Sequence, residues 1–336
     1  MKSSLIYSYQ IENNDGYRTF VDSVEQMVVA EQYGFETTLI SEHHLVENGY
    51  FPAPMVTGGA IAMRTKKMRV GSGVILLPLY NPLHVAEHGT ILDVISQGRF
   101  TLGVGQGYRK EEFAAFQIPL ADRPGRMREG VESIRAMWTQ PVANYQGKHF
   151  RYENVTLRPL PTQKPHQPIW MAAKKKSAVQ LAATVGDAWF ADPITPLSVL
   201  KQRMEDYKAV LRTVGKPDSG FEFPLMREVY CAETDARAWQ EAWEPMLYIY
   251  REYLDWGHML DERGEPVPPG DERALDLLRG RFIVGSPETC IRECEKYRRE
   301  LGATNLIMRM KAPGLPADRV MNSIRLWGEK VMPDIK

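Results

Sequence analysis

Glu42, His43 and His44 stand together after a short apolar run, Thr37-Thr38-Leu39-Ile40. Two imidazoles beside a carboxylate suit general acid–base work, because histidine exchanges its proton near neutral pH. Consecutive strand residues point to opposite faces, so one of the pair is expected to reach a ligand. A second apolar run, residues 100–104, empties into Gly105-Gln106-Gly107-Tyr108-Arg109-Lys110. Glycine lets the backbone approach a ligand closely, and the arginine and lysine that follow suit an anion such as phosphate. A third group, Lys174-Lys175-Lys176, precedes Ser177 at a predicted helix start. Cations there oppose the helix dipole, which an anion bound at that point would reconcile.

These groups need a frame that brings distant strand ends together. Apolar runs are read as strands at 5–9, 37–41, 70–77, 100–104, 169–172, 188–191, 223–231 and 305–311. Helical spacing is read at 18–33, 54–64, 82–97, 123–138, 177–185, 196–214, 236–256, 287–301 and 316–332. The runs at 70–77 and 100–104 are apolar on both faces, as in a buried parallel sheet. Eight alternating strand–helix units predict an α/β fold, a single (β/α)8 TIM barrel with insertions. The proline-rich segment 141–168 is expected to be a surface hairpin, and the charged 257–280 segment a long loop or lid. In such a barrel the chemistry sits at the C-terminal ends of the strands, where each cluster above is placed.

Composition narrows the class. The chain has 336 residues, with 42 Lys+Arg against 42 Asp+Glu, so no overall field draws it to nucleic acid or an anionic membrane. Three cysteines, Cys231, Cys290 and Cys294, form no CxxC pair and no disulfide framework, as expected in a reducing cytoplasm. Neither a signal-peptide core nor a membrane-length apolar run is read. Aromatic residues from Trp239 to Trp256 recur at helical spacing, which suits core packing or an apolar or aromatic substrate near the lid.

Several stretches together resemble the bacterial luciferase-like superfamily of flavin-dependent monooxygenases. They are ISEHH at 40–44, RVGSGVILLPLYNPLHVAE at 69–87, LDVISQGRFTLGVGQGY at 92–108, RPGRMREG at 123–130, VGSPETC at 284–290 and the terminal NLIMRM. The resemblance implies a barrel that binds reduced FMN at its strand ends and activates dioxygen as a C4a-hydroperoxide. It implies His43 as the catalytic histidine, with His44 beside it, and a non-proline cis peptide at Gly73-Val74. It places the flavin against Gly105, Gln106, Gly107 and Tyr108, and its phosphate on Arg126, Lys174, Lys175 and Ser177. Gly105 and Gln106 stand where the luciferase α subunit has a reactive cysteine and an arginine, so Arg109 or the lysines would replace that arginine.

The resemblance also bears on partners. No second dinucleotide-binding unit is read, so a separate NAD(P)H:flavin reductase would supply the reduced FMN for a small-molecule substrate. A deazaflavin-dependent oxidoreductase on the same fold, or a non-catalytic flavin-binding subunit, are the alternatives. Helices 54–64 and 82–97 carry surplus apolar residues, among them Met55, Val56, Ile61, Met63, Leu83, Val85, Ile91, Leu92 and Ile95, which predicts a homodimer. His84-Val85-Ala86-Glu87-His88 also fits a zinc pattern. The run matches the family's flavin-side helix instead, and no metal is assigned.

Overall fold

The computed structural model describes residues 1–10 and 15–335. In chain order the elements are β1 (Lys2–Tyr7), α1 (Gly16–Tyr33), β2 (Thr37–Ile40), α2 (Pro54–Arg64), β3 (Arg69–Ser72), β4 (Ile75–Leu76), α3 (Pro82–Ile95), β5 (Phe100–Gly105) and α4 (Lys110–Ala115). Then come α5 (Arg123–Thr139), β6 (Ala143–Gln146), β7 (Arg151–Val155), β8 (Ile169–Ala172), α6 (Lys176–Val185), β9 (Ala188–Phe190) and α7 (Leu197–Thr213). The chain ends with β10 (Pro224–Cys231), α8 (Asp235–Asp255), α9 (Arg273–Asp276), β11 (Ile283–Gly285), α10 (Pro287–Leu301), β12 (Asn305–Arg309), α11 (Ala317–Leu326) and α12 (Met332–Ile335).

Local chemistry sets these boundaries. Asp15 accepts from the Arg18 N–H at the start of α1, and Gly34, at φ 86°, ends it in the left-handed conformation. Asn81 caps α3 through the Leu83 N–H, with Pro82 in the first turn, where its missing donor costs nothing. Ser286 caps α10 and Gly302 ends it.

The large sheet runs β11-β10-β12-β1-β2-β3-β5-β8-β9, with β4 also on β5. It is a curled, mostly parallel α/β sheet. Beyond β9, Ala191 forms an isolated parallel bridge with Leu225. The Ala191 N–H donates to the Pro224 carbonyl at 3.0 Å, and the Met226 N–H donates to Ala191 at 3.0 Å. One bridge, where an eight-stranded barrel was expected to show a ladder, joins that side of the curl. Ile6, Leu39, Trp170, Phe190, Met226 and Ile307, from six strands, form a cluster of their own. The larger cluster packs the outward side chains against the helices.

Three segments differ from the sequence expectation. The 70–77 run is not one strand: β3 stops at Ser72, the Gly73-Val74 peptide is cis, and β4 resumes before a 3-10 turn at Leu77–Leu79. Ser72 spans the lapse, donating its hydroxyl to the Gly103 carbonyl at 2.7 Å and accepting the Gly103 N–H at 3.0 Å. A Cβ on Gly103 would lie 2.0 Å from the Ser72 carbonyl oxygen, so only glycine permits this approach. Second, β11 adds a short strand to the C-terminal half of β10. Third, the 257–280 segment has structure: a bridge joins Leu260 and Pro266, and α9 follows. The 141–168 segment does hold an antiparallel hairpin, β6–β7.

Candidate active site

A cavity of about 920 Å³ opens at the C-terminal ends of the strands. His43 reaches it from the end of β2, 9% exposed. Its Nδ1 lies 2.9 Å from Oε1 of the fully buried Glu112, on the short helix α4. The same oxygen accepts the His44 backbone N–H at 2.9 Å, and the Arg109 guanidinium stands 3.6 Å away. Burial alone would raise the Glu112 carboxyl pKa. The His43 and His44 hydrogen bonds and the Arg109 charge outweigh it, and the net shift is downward. An ionised Glu112 only accepts, so His43 donates to it from Nδ1 and turns Nε2 to the cavity. That Nε2 lies 3.5 Å from the Tyr108 hydroxyl.

His44 does not line the cavity. Its Nε2 lies 3.1 Å from Glu42 Oε1, and its ring packs on Phe116. Glu42 also accepts the Leu76 N–H at 2.6 Å and the Tyr80 hydroxyl, which ties the β2 exit to the segment after the cis peptide.

Gly73, Val74, Gly105, Gln106, Gly107 and Tyr108 all line the cavity. A Cβ on Gly105 would lie 2.6 Å from Val74 Cγ2, so β4 and β5 close up there only because Gly105 has no side chain. Lys174, Lys175 and Ser177 line it from the β8 exit, and Arg203 from α7. Arg126 does not. It donates from Nε to the Pro78 carbonyl at 2.7 Å and lies on the Phe150 ring, while Arg123 and Pro124, one turn earlier, line the cavity. Arg109 is likewise turned away, donating to the His44 carbonyl at 2.6 Å and covering Trp256 at 4.5 Å.

Glu112 and His258 complete the site, and neither was singled out from sequence. His258 begins the lid segment and stacks on Tyr108, with 3.9 Å between centroids and 5° between planes. Lys174 Nζ donates to His258 Nδ1 at 3.2 Å and to its carbonyl at 3.1 Å. Burial, reinforced by Lys174 and His43, holds the His258 pKa well below the usual histidine range, so the ring is neutral. Burial also lowers the Lys174 ammonium pKa, against the nearby Asp192. At the cavity floor Arg309 is bonded to Glu228 and to the Tyr253 hydroxyl.

The profile of the luciferase-like monooxygenase family matches residues 1–305. The chain belongs to that family. It is 25% identical over 325 residues to an alkanal monooxygenase alpha chain of Photorhabdus laumondii, covering 92% of this chain and 90% of that one. It is 26% identical over 330 residues to an F420-dependent glucose-6-phosphate dehydrogenase of Amycolatopsis mediterranei, covering 94% of each. Among solved structures, the oxygenating constituent of 3,6-diketocamphane monooxygenase from Pseudomonas putida, in complex with FMN, superposes with a TM-score of 0.84. That match is at 22% identity, over 100% of this chain and 99% of that one, and it shows a shared fold. A luciferase-like family that spans flavin monooxygenases and F420-dependent enzymes is thus the chain's established setting.

The lowered Glu112 pKa predicts an acid limb in stability. The unfolded carboxyl binds its proton at a higher pH than the folded one, so stability rises with pH across that range. The contribution is complete at neutral pH and is lost as pH falls from the ordinary carboxylate range through the folded pKa. Glu112→Gln is expected to cost about 1–3 kcal/mol at neutral pH. It should also flatten the slope of denaturation midpoint against pH. Parallel wild-type and variant profiles would contradict the assignment.

Proposed function

We propose that this chain is a flavin-dependent monooxygenase that uses reduced FMN and dioxygen to oxygenate a small organic substrate. In balance, the substrate, reduced FMN and dioxygen give the oxygenated product, oxidised FMN and water. The cavity fits a flavin on its own evidence. Ile6, Val74, Ala172 and Met226 offer an apolar seat, and Arg123, Lys175 and Arg203 provide cationic groups for a phosphate. Arg203 keeps its buried Nε unpartnered. Bound reduced flavin would supply the electrons and the site at which dioxygen is activated.

The observation that carries the reading is the His43 imidazole, fixed by Glu112 and open to the cavity at Nε2. In this role His43 exchanges a proton with the substrate while Tyr108 bounds its approach. His44 acts through Glu42 by holding the β2 exit in place. Lys175 and Ser177 hold the phosphate end with Arg123, which takes the place foreseen for Arg126, while Lys174 donates to His258. We read the curled sheet as a closed (β/α)8 barrel, on the strength of the Ala191 bridge. A separate NAD(P)H:flavin reductase supplies the reduced FMN, and the enzyme works in the cytoplasm. The alternative is a deazaflavin cofactor, favoured by the similarity to F420-dependent glucose-6-phosphate dehydrogenase.

Fluorescence-quenching titration with reduced FMN, oxidised FMN and a deazaflavin separates the two. Reduced FMN should bind tightest and support oxygen uptake. His43→Ala should leave its affinity within a few-fold and cut oxygenation by about 10²–10⁴. Preferred deazaflavin binding with oxygen-independent hydride transfer would overturn the reading.

The homodimer is also proposed, on a narrower patch than the sequence indicated. Ile61, Val85 and Leu92 belong to the core, whereas Val56 is 77%, Met63 73% and Ile91 44% exposed, with Val94 and Ile95 beside them. An exposed apolar face on two adjacent helices suits an isologous contact. Sedimentation equilibrium should give twice the 38.3 kDa chain mass, and Ile91→Arg should halve it. A wild-type monomer at micromolar concentration would exclude the dimer.

A further inference from the structure

The lid half of the cavity is walled by rings. The Tyr108–His258 stack forms one side. Trp256 stands 5.4 Å from His43 and 6.4 Å from Tyr108. Tyr253 is 5.7 Å from Trp256 and edge-on to His258 at 5.9 Å. All five rings line the one cavity.

The charges behind this wall are already engaged. Arg109, outside the cavity, lies over Trp256 and donates to His44. Lys174 donates to His258. Arg309 is bonded to Glu228 and lies 5.7 Å from the Tyr253 ring centre. Cations set against the rings oppose a cationic guest, because its attraction to the ring faces would meet charges of the same sign. An anionic guest finds each of these cations held by a protein group. The Tyr108 hydroxyl and Nε2 of His43, 3.5 Å apart, stand among these rings to meet an oxygen. Burial pushes the Tyr108 hydroxyl pKa well up, so it stays a neutral donor.

We infer that the lid half binds a planar, uncharged aromatic substrate bearing an oxygen substituent. Its ring stacks among Trp256, Tyr253 and the Tyr108–His258 pair, and its oxygen meets Tyr108 and His43. Rigid rings lose no rotamers on entering such a space, whereas an aliphatic chain loses many. Ring pairs also add attraction beyond the area they bury. The inference rests on the reading that the other half of the cavity holds a flavin, and it concerns which substrates reach that flavin.

Calorimetric titration of the FMN-saturated protein with 1-naphthol and 1-decanol tests it. The two alcohols have the same number of carbons. The flexible decanol carries more apolar surface, so burial by area alone would favour it. The aromatic wall predicts the reverse order, with 1-naphthol tighter. Trp256→Leu should weaken 1-naphthol by roughly 3- to 10-fold, the size of one ring pair, and change 1-decanol little. Trp256→Phe, which keeps a ring, should retain most of the affinity and guards against a folding defect in the leucine variant. A (1-naphthyl)trimethylammonium probe should bind far more weakly than 1-naphthol. Tighter 1-decanol binding, equal losses in Trp256→Leu, or preference for the cation would overturn the inference. The same titration without flavin separates the two claims. Aromatic binding by a chain that fails to bind FMN would sink the flavin reading and leave this one standing.

Discussion

One buried carboxylate organises the site. Glu112 has no exposure to water, and it accepts from the His43 ring and the His44 backbone through a single oxygen. Its negative charge is tolerable in that position because three donors or cations converge on it. In return it fixes the rotation of His43, which a surface histidine would sample freely. Everything else at the site can be read as support for that pair. Glu42 holds the β2 exit through His44, Tyr80 and the Leu76 N–H. Arg109 ties the start of α4 back to the His44 carbonyl.

The sheet makes this arrangement possible by close approach. β3 and β5 pair at Val70–Phe100 and Gly71–Thr101, then part where Ser72 takes over with its hydroxyl. Glycines at 103 and 105 remove the side chains that would block the crossing. The result is an apolar seat beside Val74, flanked by the β5 exit that leads into α4. The position of Glu112 therefore follows from β5, and the position of His43 from β2. The lid adds the third side. Lys174, from β8, bonds both the His258 ring and its carbonyl, so the cationic rim and the aromatic wall share one residue.

Much of this was legible in the residues. The apolar runs and their stops located α2, β8 and α10 to the residue; Pro54 and Pro287 mark two of the starts, and Ser286 and Gly302 bracket α10. The strand exits at 41–44, 105–108 and 174–177 were placed at one end of the sheet, and residues from each line the cavity. The interruption of the 70–77 run was not visible in its apolar pattern, since alternation of side chains does not report a peptide's isomer; the family resemblance placed it at Gly73-Val74. β11 was missed because three residues are too few to show a period. Glu112 was missed for a different reason. It lies on a six-residue helix and meets His43 from 69 positions away, a pairing that only the folded sheet creates. Arg126 shows the limit of a helical register: three residues, about one turn, separate it from Arg123, and the carbonyls of Pro78 and Tyr80 with the Phe150 ring hold it away from the cavity.

The central claim is that Glu112 accepts the His43 Nδ1–H and so holds Nε2 toward the cavity. Nitrogen-15 NMR of protein labelled at histidine reads this directly, with the His43 resonances assigned by their loss in His43→Asn. The account predicts a protonated Nδ1 hydrogen-bonded to Glu112. That Nδ1 signal should shift in Glu112→Gln. A wild-type His43 whose Nδ1 carries no proton, or an Nδ1 signal indifferent to Glu112, would contradict it.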